Sequence, residues 1–271
     1  MTVIIGAICN SGKQAIVAAD RMLTHDILSV EFETQERKMD EMTKSCIVMT
    51  AGNALVQHEV LQAAKISINS SATSQVSQVV EKIKDAFVNE RKKRYEESNL
   101  KPRGLTLEGF YKGGVQQTLD SNISMRLDRE LEDAKIDLQM IVAGVDQIGA
   151  HLYCLVDPGV SQCFNPLGFC GFGSGYPHAM SVLIFNNYNT ALSLNKAIYL
   201  VYEAKRRSES APGVGREYTD LAIINKDIYY LNESELAQLE GIYNAKVELQ
   251  RPKEIDEMID KLKFEVEKKD A

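Results

Sequence analysis

Long apolar runs are missing from this chain of 271 residues. No stretch reaches the ~18 apolar residues that a membrane-spanning helix requires, so no membrane partner is expected. Residues 1–9 (MTVIIGAIC) lack a basic leader, and a chain that starts at its own N-terminus in the cytoplasm is the expectation. Cysteine is sparse: Cys9, Cys46, Cys154, Cys163 and Cys170 are odd in number and contain no Cys-x-x-Cys pair. That argues against a disulfide framework and against a zinc site, and fits a reducing compartment. A basic surface is lacking as well. The net charge is -7, and the run Arg91-Lys92-Lys93-Arg94 lies in a helical pattern that ends in Glu96-Glu97, which reads as a solvated helix face. Nucleic acid is therefore excluded as a partner. With only six prolines, 44% hydrophobic and 25% charged residues, the composition is that of a folded protein with a substantial core.

What is present is a succession of strand and helix patterns. Residues 2–9 and 14–19 are two apolar, β-branched runs joined by Asn10-Ser11-Gly12-Lys13, the turn chemistry of an antiparallel hairpin. Residues 45–50 predict a strand that runs into Ala51-Gly52-Asn53, after which Leu55, Val56, Val60, Leu61 and Ala64 recur at helical spacing. Val76, Val79, Val80, Ile83 and Phe87 mark a second helix that stops near residues 99–104. Residues 104–136 hold Gly104, Gly109, Gly113 and Gly114 and then a charged stretch, SMRLDRELEDAK, compatible with a helix, and read as an insertion whose structure the pattern leaves undecided. Residues 137–143 and 150–156 predict another strand pair, followed by a shorter pair leading to Gly171-Phe172-Gly173-Ser174-Gly175. Helices follow over 177–187 and after Ser193, and strands return at 218–225 and 228–231. Strands, two helices, strands, two helices and strands again imply sheets packed between helical layers rather than alternating βαβ units. Beyond Pro252, the spacing of Ile255, Met258, Ile259, Leu262 and Val266 predicts an amphipathic packing helix.

Several familiar motifs fail on inspection. The segment Gly171 to Gly175 has neither the glycine spacing of a dinucleotide loop nor the lysine of a phosphate loop, and Phe172 stands where G-x-S-x-G needs glycine. His25, His58, His151 and His178 have no metal-ligand spacing. No metal and no cofactor is expected.

Thr2 has a different kind of interest. A threonine hydroxyl is a weak nucleophile without a base in reach, and an N-terminal threonine carries one as its own α-amine. That amine titrates near ~7.7–8.0, so a small downward shift leaves it neutral near pH 7. Removal of Met1 ahead of a small residue would expose it.

The segment TVIIGAICNSGKQAIVAADRMLT resembles the start of proteasome β subunits, in which a threonine opens the first strand and the next strand ends in Ala-Asp-Arg. Here these are Thr2, Gly6 and Ala19-Asp20-Arg21. The resemblance continues through Lys38 in RKMDEM, Thr50-Ala51-Gly52, Val142-Ala143-Gly144-Val145-Asp146 and Gly173-Ser174-Gly175. It covers most of the chain in the correct order.

The resemblance implies a proteasome-like N-terminal nucleophile hydrolase: an α+β, four-layer αββα sandwich over residues 1–235, with an insertion at about 100–136 and a helical extension over 236–271. It implies Thr2 as nucleophile and Asp20 holding the Lys38 ammonium beside it, which favours the neutral amine and the developing oxyanion. Ser174 would complete the hydrogen-bond network, and the Gly52 N–H would donate to the oxyanion. Thr24 would pair with the main chain of an extended substrate, while Leu23, Thr50 and Ala54 would shape a specificity pocket. Implied partners are a peptide or protein substrate, further copies of the chain in a ring or related homo-oligomer, and an ATP-driven unfoldase. One element departs from the pattern: the Arg-Asp-x-x-Ser-Gly segment is replaced by Arg207-Ser208-Glu209-Ser210-Ala211-Pro212-Gly213, without the aspartate. Ser208 or Glu209 substitutes, or the other four residues suffice. The rival readings on the same fold are a non-catalytic ring subunit and a narrow amidase or transpeptidase.

Overall fold

The computed structural model describes residues 2–25, 30–71, 75–114 and 118–249. Strands β1 (Ile4–Cys9) and β2 (Gln14–Ala19) form the hairpin, paired from Ile4 opposite Ala19 to Cys9 opposite Gln14. Next come β3 (Met22–His25), β4 (Val30–Glu33) and β5 (Met39–Thr43), for which the sequence pattern predicted no element. Strands β4 and β5 hold Glu31, Glu33, Asp40 and Glu41, residue types depleted in strands. Strand β6 (Cys46–Gly52) leads into helix α1 (Ala54–Asn69), started by Asn53, whose side-chain oxygen accepts the N–H groups of Leu55 and Val56 at 3.1 and 3.3 Å. Helix α2 (Val76–Tyr95) continues through one wide turn (Glu96–Leu100) and one tight turn (Lys101–Arg103).

The described part of the insertion contains two helices. Helices α3 (Leu107–Tyr111) and α4 (Ser121–Glu132) bring Phe110 and Leu127 against Tyr95 and Leu100 in a small apolar cluster of their own. Arg91 of α2 ties its end down, donating to the main-chain oxygens of Ala134 (2.7 Å), Glu132 (3.2 Å) and Leu131.

Strands β7 (Leu138–Val145), β8 (Ala150–Val156), β9 (Val160–Cys163) and β10 (Phe169–Phe172) follow. Contrary to the sequence expectation, β9 and β10 do not pair with each other: β9 extends β8, whereas β10 lies along β1. The intervening residues cross from one sheet to the other. Phe164 N–H donates to Leu152 of β8 at 2.8 Å, and Gly168 accepts from Ile8 of β1 at 2.7 Å. Helices α5 (Tyr176–Phe185) and α6 (Leu194–Ser208) and strands β11 (Asp220–Ile224) and β12 (Ile228–Tyr230) complete the larger of two compact units, Met1–Tyr230. The second unit, Leu231–Ala271, contains helix α7 (Glu233–Leu249). The amphipathic pattern beyond Pro252 lies outside the described residues.

The chain is thus α+β. One antiparallel sheet has the order β10-β1-β2-β11-β12, a second β5-β6-β7-β8-β9, and β3 and β4 form a separate two-stranded arm. Strands β6 and β7 are apolar at nearly every position because both of their faces are covered. Ile47, Met49, Ile141 and Ala143 pack against Ile4, Ile8, Ala15 and Val17 of the first sheet. The alternate residues Val48, Met140 and Val142 pack against Val60, Ile83 and Phe87 of α1 and α2. On the first sheet, α6 lies against β1 and β2, and α5 against β1 and β10. Each fully buried aliphatic or Phe side chain contributes about 1.5–3 kcal/mol of transfer free energy, so these seams dominate stability.

Phe87 is fully buried between α2 and the second sheet. Phe87→Ala is expected to lower unfolding free energy by about 3–5 kcal/mol. Urea denaturation checks this, with an unchanged slope showing that the denatured state is not the cause.

Candidate active site

The β1–β2 hairpin sets the first distance. Its register continues one step past Ile4 and Ala19, so Asp20 N–H donates to Val3 O at 3.3 Å and Val3 N–H donates to Asp20 Oδ1 at 3.2 Å. The Asp20 carboxylate therefore lies beside the start of β1. There the Thr2 hydroxyl donates to Asp20 Oδ1. Lys38 arrives from the second sheet, one residue before β5, and donates to both the Thr2 hydroxyl and Asp20 Oδ1, the latter at 2.8 Å. All three side chains are buried: Asp20 is 0%, Thr2 3% and Lys38 7% exposed. Burial is the main cause that pushes the Lys38 ammonium below the ordinary lysine value, with Asp20 pulling the other way.

Two glycines line the cleft beside Thr2. Gly173, at φ +94°, sits so close that a Cβ there would lie 2.1 Å from the Thr2 carbonyl oxygen. Gly52, at φ +121°, would meet Asp137 O at 1.9 Å. Neither position admits a side chain. The Ser174 hydroxyl donates to Pro212 O at 3.1 Å and to the Thr2 carbonyl at 3.5 Å, and Gly175 N–H donates to the same carbonyl at 3.3 Å.

Thr2, Gly52 and Ser174 line one cleft of about 560 Å³, whose other wall is Lys135, Asp137 and Asp157. Sequence reasoning missed that wall, because those residues lie in the insertion's exit and a loop and follow no spacing. Asp157 is fixed there by the N–H groups of Ile136 and Asp137 at 3.1 and 3.0 Å. Leu23 and Ala54 line a smaller cavity of about 220 Å³ with Lys38, Glu36, Asp40 and His58. Thr50 is buried instead, with its hydroxyl free of any hydrogen-bond partner. Thr24 lies on β3, opposite Glu31 of β4. Of the two residues that stand where the aspartate is absent, the Ser208 hydroxyl donates to Lys205 O at 2.6 Å, and Glu209 pairs with Lys205 and Arg206.

Arg21, read only as part of a motif, has a defined task. It holds Asp220 of β11 through two hydrogen bonds at 2.8 and 2.7 Å and lies over the Tyr218 ring at 4.7 Å. This fixes the chain immediately after Asp20. Among the described residues no group of three or more His, Cys, Asp or Glu side chains is placed to hold a metal ion. Nor is any described helix long and apolar enough to cross a membrane.

No protein-family model matches the chain. A curated protein called proteasome subunit beta 2, from Staphylothermus marinus, is 29% identical over 114 residues, which is 41% of this chain and 51% of that protein. The chain is similar to a proteasome β subunit. It spans about half the length of that relative.

The buried pair is testable on its own. Asp20→Asn leaves a buried ammonium unpaired and is expected to cost about 3–5 kcal/mol at neutral pH. Without Asp20 the folded-state pKa of Lys38 falls further, so over a higher-pH window the unfolded variant binds a proton that its folded form has lost. Its stability then rises with pH relative to wild type, and the deficit shrinks towards pH ~10. Chemical denaturation at a series of pH values checks this, and a constant deficit contradicts it.

Proposed function

We propose that the chain is a threonine-type peptidase with the proteasome-like N-terminal nucleophile fold, its two sheets and covering helices forming a four-layer αββα sandwich. The observation that carries this reading is the convergence of Lys38 and Asp20 on the Thr2 hydroxyl, at the edge of a cleft. The similarity to a proteasome β subunit supports it.

Removal of Met1 converts the Thr2 nitrogen into a free α-amine, which takes the hydroxyl proton as Oγ1 attacks a peptide carbonyl. The Lys38 ammonium, held by Asp20, stabilises the developing negative charge and disfavours protonation of the amine. The Gly52 N–H donates to the oxyanion, a kind of contact whose loss costs about 2.7–4 kcal/mol elsewhere. Collapse of the tetrahedral adduct passes the proton to the leaving amine and leaves an ester on Thr2, which water then hydrolyses. The substrate is an extended peptide laid along Thr24 and Gly52, with Leu23 and Ala54 meeting one of its side chains. Assembly into a ring or related homo-oligomer, fed by an ATP-driven unfoldase, belongs to the same reading.

A threonine-directed electrophile is expected to modify Thr2 in protein that lacks Met1, as mapped by mass spectrometry. Thr2→Ala should abolish both labelling and peptide cleavage without unfolding the protein; turnover that survives this change assigns the chemistry elsewhere. A chain that keeps Met1 in its native cell and takes no label is a non-catalytic subunit. Peptide ligation in the presence of a competing amine would mark a transpeptidase.

The pH profile has a set sign. kcat/KM rises as the amine loses its proton, near ~7.7–8.0 if unperturbed. It falls again as Lys38 loses its own, below the ordinary lysine value of ~10.4 because burial favours the neutral form. A basic limb at or above that value would contradict the assigned role.

A further inference from the structure

Lys205 on helix α6 is fully buried, and nothing in the chemistry above uses it. Its ammonium donates to Glu209 Oε1 at 2.7 Å and to the carbonyl oxygen of Gly215 at 3.1 Å. Arg206 clasps the same Glu209 carboxylate at 2.9 and 3.1 Å. The N–H of Gly215 points the other way and donates to Asp20 Oδ2 at 2.8 Å. Gly215 is thus gripped at both of its polar atoms, by a cation on one side and by the site carboxylate on the other.

Gly215 meets the Asp20 carboxylate at the oxygen that the Thr2 centre leaves open. Its Oδ1 receives the Thr2 hydroxyl, Lys38 and the Val3 N–H, whereas Gly215 is the hydrogen-bond donor on Oδ2. A carboxylate held at one oxygen can swing about its Cβ–Cγ bond; held at both, it cannot. Glu33 steadies the next residues, taking the N–H groups of Arg216, Glu217 and Tyr218, the last two at 3.1 and 3.0 Å. The Ser174 hydroxyl leans on Pro212 O in the same segment.

We infer that Lys205 is a positioning residue for the Thr2 centre, holding Gly215 so that its N–H locks the Asp20 carboxylate in the plane that serves both Thr2 and Lys38. This rests on the peptidase reading for its effect on turnover, though the grip itself does not. A second consequence is electrostatic: Lys205 lies near enough to Lys38 for its charge to disfavour the Lys38 ammonium, in the same direction as burial. The buried cation therefore both shapes the site and weakens the hold of Lys38 on its proton.

The test compares wild type with Lys205→Met, which cannot donate, and with Lys205→Met combined with Glu209→Gln, which also removes the partner charge should the single change fail to fold. Hydrogen exchange of the segment spanning 212–218, read by mass spectrometry on the full chain, is expected to quicken at least about tenfold in whichever variant is folded. With a peptide substrate, kcat is expected to fall at least about tenfold with KM within about twofold, since geometry at the reacting group changes while binding does not. A merely structural lysine would lower the melting temperature and leave kcat of the folded molecules unchanged. Unchanged exchange in 212–218, or unchanged kcat in a folded variant, overturns the inference. If wild type cleaves nothing and takes no electrophile on Thr2, the peptidase reading has failed, and the exchange comparison alone decides whether Lys205 holds the segment.

Discussion

Around one buried contact, the Lys38 ammonium against the Asp20 carboxylate with the Thr2 hydroxyl between them, the rest of the molecule is arranged. Two charges without water are costly unless each finds several well-placed partners, and a pair of this kind adds little net stability. The two sheets meet at this point: Asp20 and Thr2 come from the β1–β2 hairpin, and Lys38 from the entry to β5. Slippage between the sheets would separate the cation from the anion, so the apolar seam of Ile4, Ile47, Met49 and Ile141 holds this ion pair together as well as the fold.

The surroundings convert that pair into a directed one. Val3 N–H and Gly215 N–H approach the carboxylate from different sides, and Arg21 anchors the chain just beyond it to Asp220. Gly173 and Gly175 allow the loop after β10 to lie against the Thr2 main chain, where a side chain at Gly173 would collide. Every one of these contacts joins residues far apart in sequence, so the site exists only when both sheets and α6 are in place. Such a centre is lost by global unfolding rather than by fraying of one element.

Much of this was legible in the sequence, and the reasons differ by element. The hairpin was readable because two apolar runs flank an Asn-Ser-Gly turn, and α1 and α2 because their buried residues recur every three or four positions. The resemblance to proteasome β subunits singled out Thr2, Asp20 and Lys38, which the structure brings into mutual contact. For the aspartate missing from that pattern the sequence left two alternatives, a substitute in Ser208 or Glu209 or a site built on the other four residues alone, and the structure engages Ser208 and Glu209 with Lys205 and Arg206. Strands β4 and β5 escaped because Glu31, Glu33, Asp40 and Glu41 are types that strands disfavour. The separation of β9 from β10 escaped because strand patterns say nothing about which sheet a strand joins. Lys205 escaped for another reason: on a helix ending Lys-Arg-Arg, one lysine among three cations looks solvated until the packing of 212–218 covers it.

The helical insertion carries its own apolar cluster, and Arg91 fastens its far end by grasping three backbone oxygens rather than any side chain. Backbone oxygens are common to all residues, so this fastening is blind to which amino acids occupy 131, 132 and 134. The fastening therefore depends on the path of the backbone at 131–134 and tolerates side-chain exchange at the outward positions of the insertion.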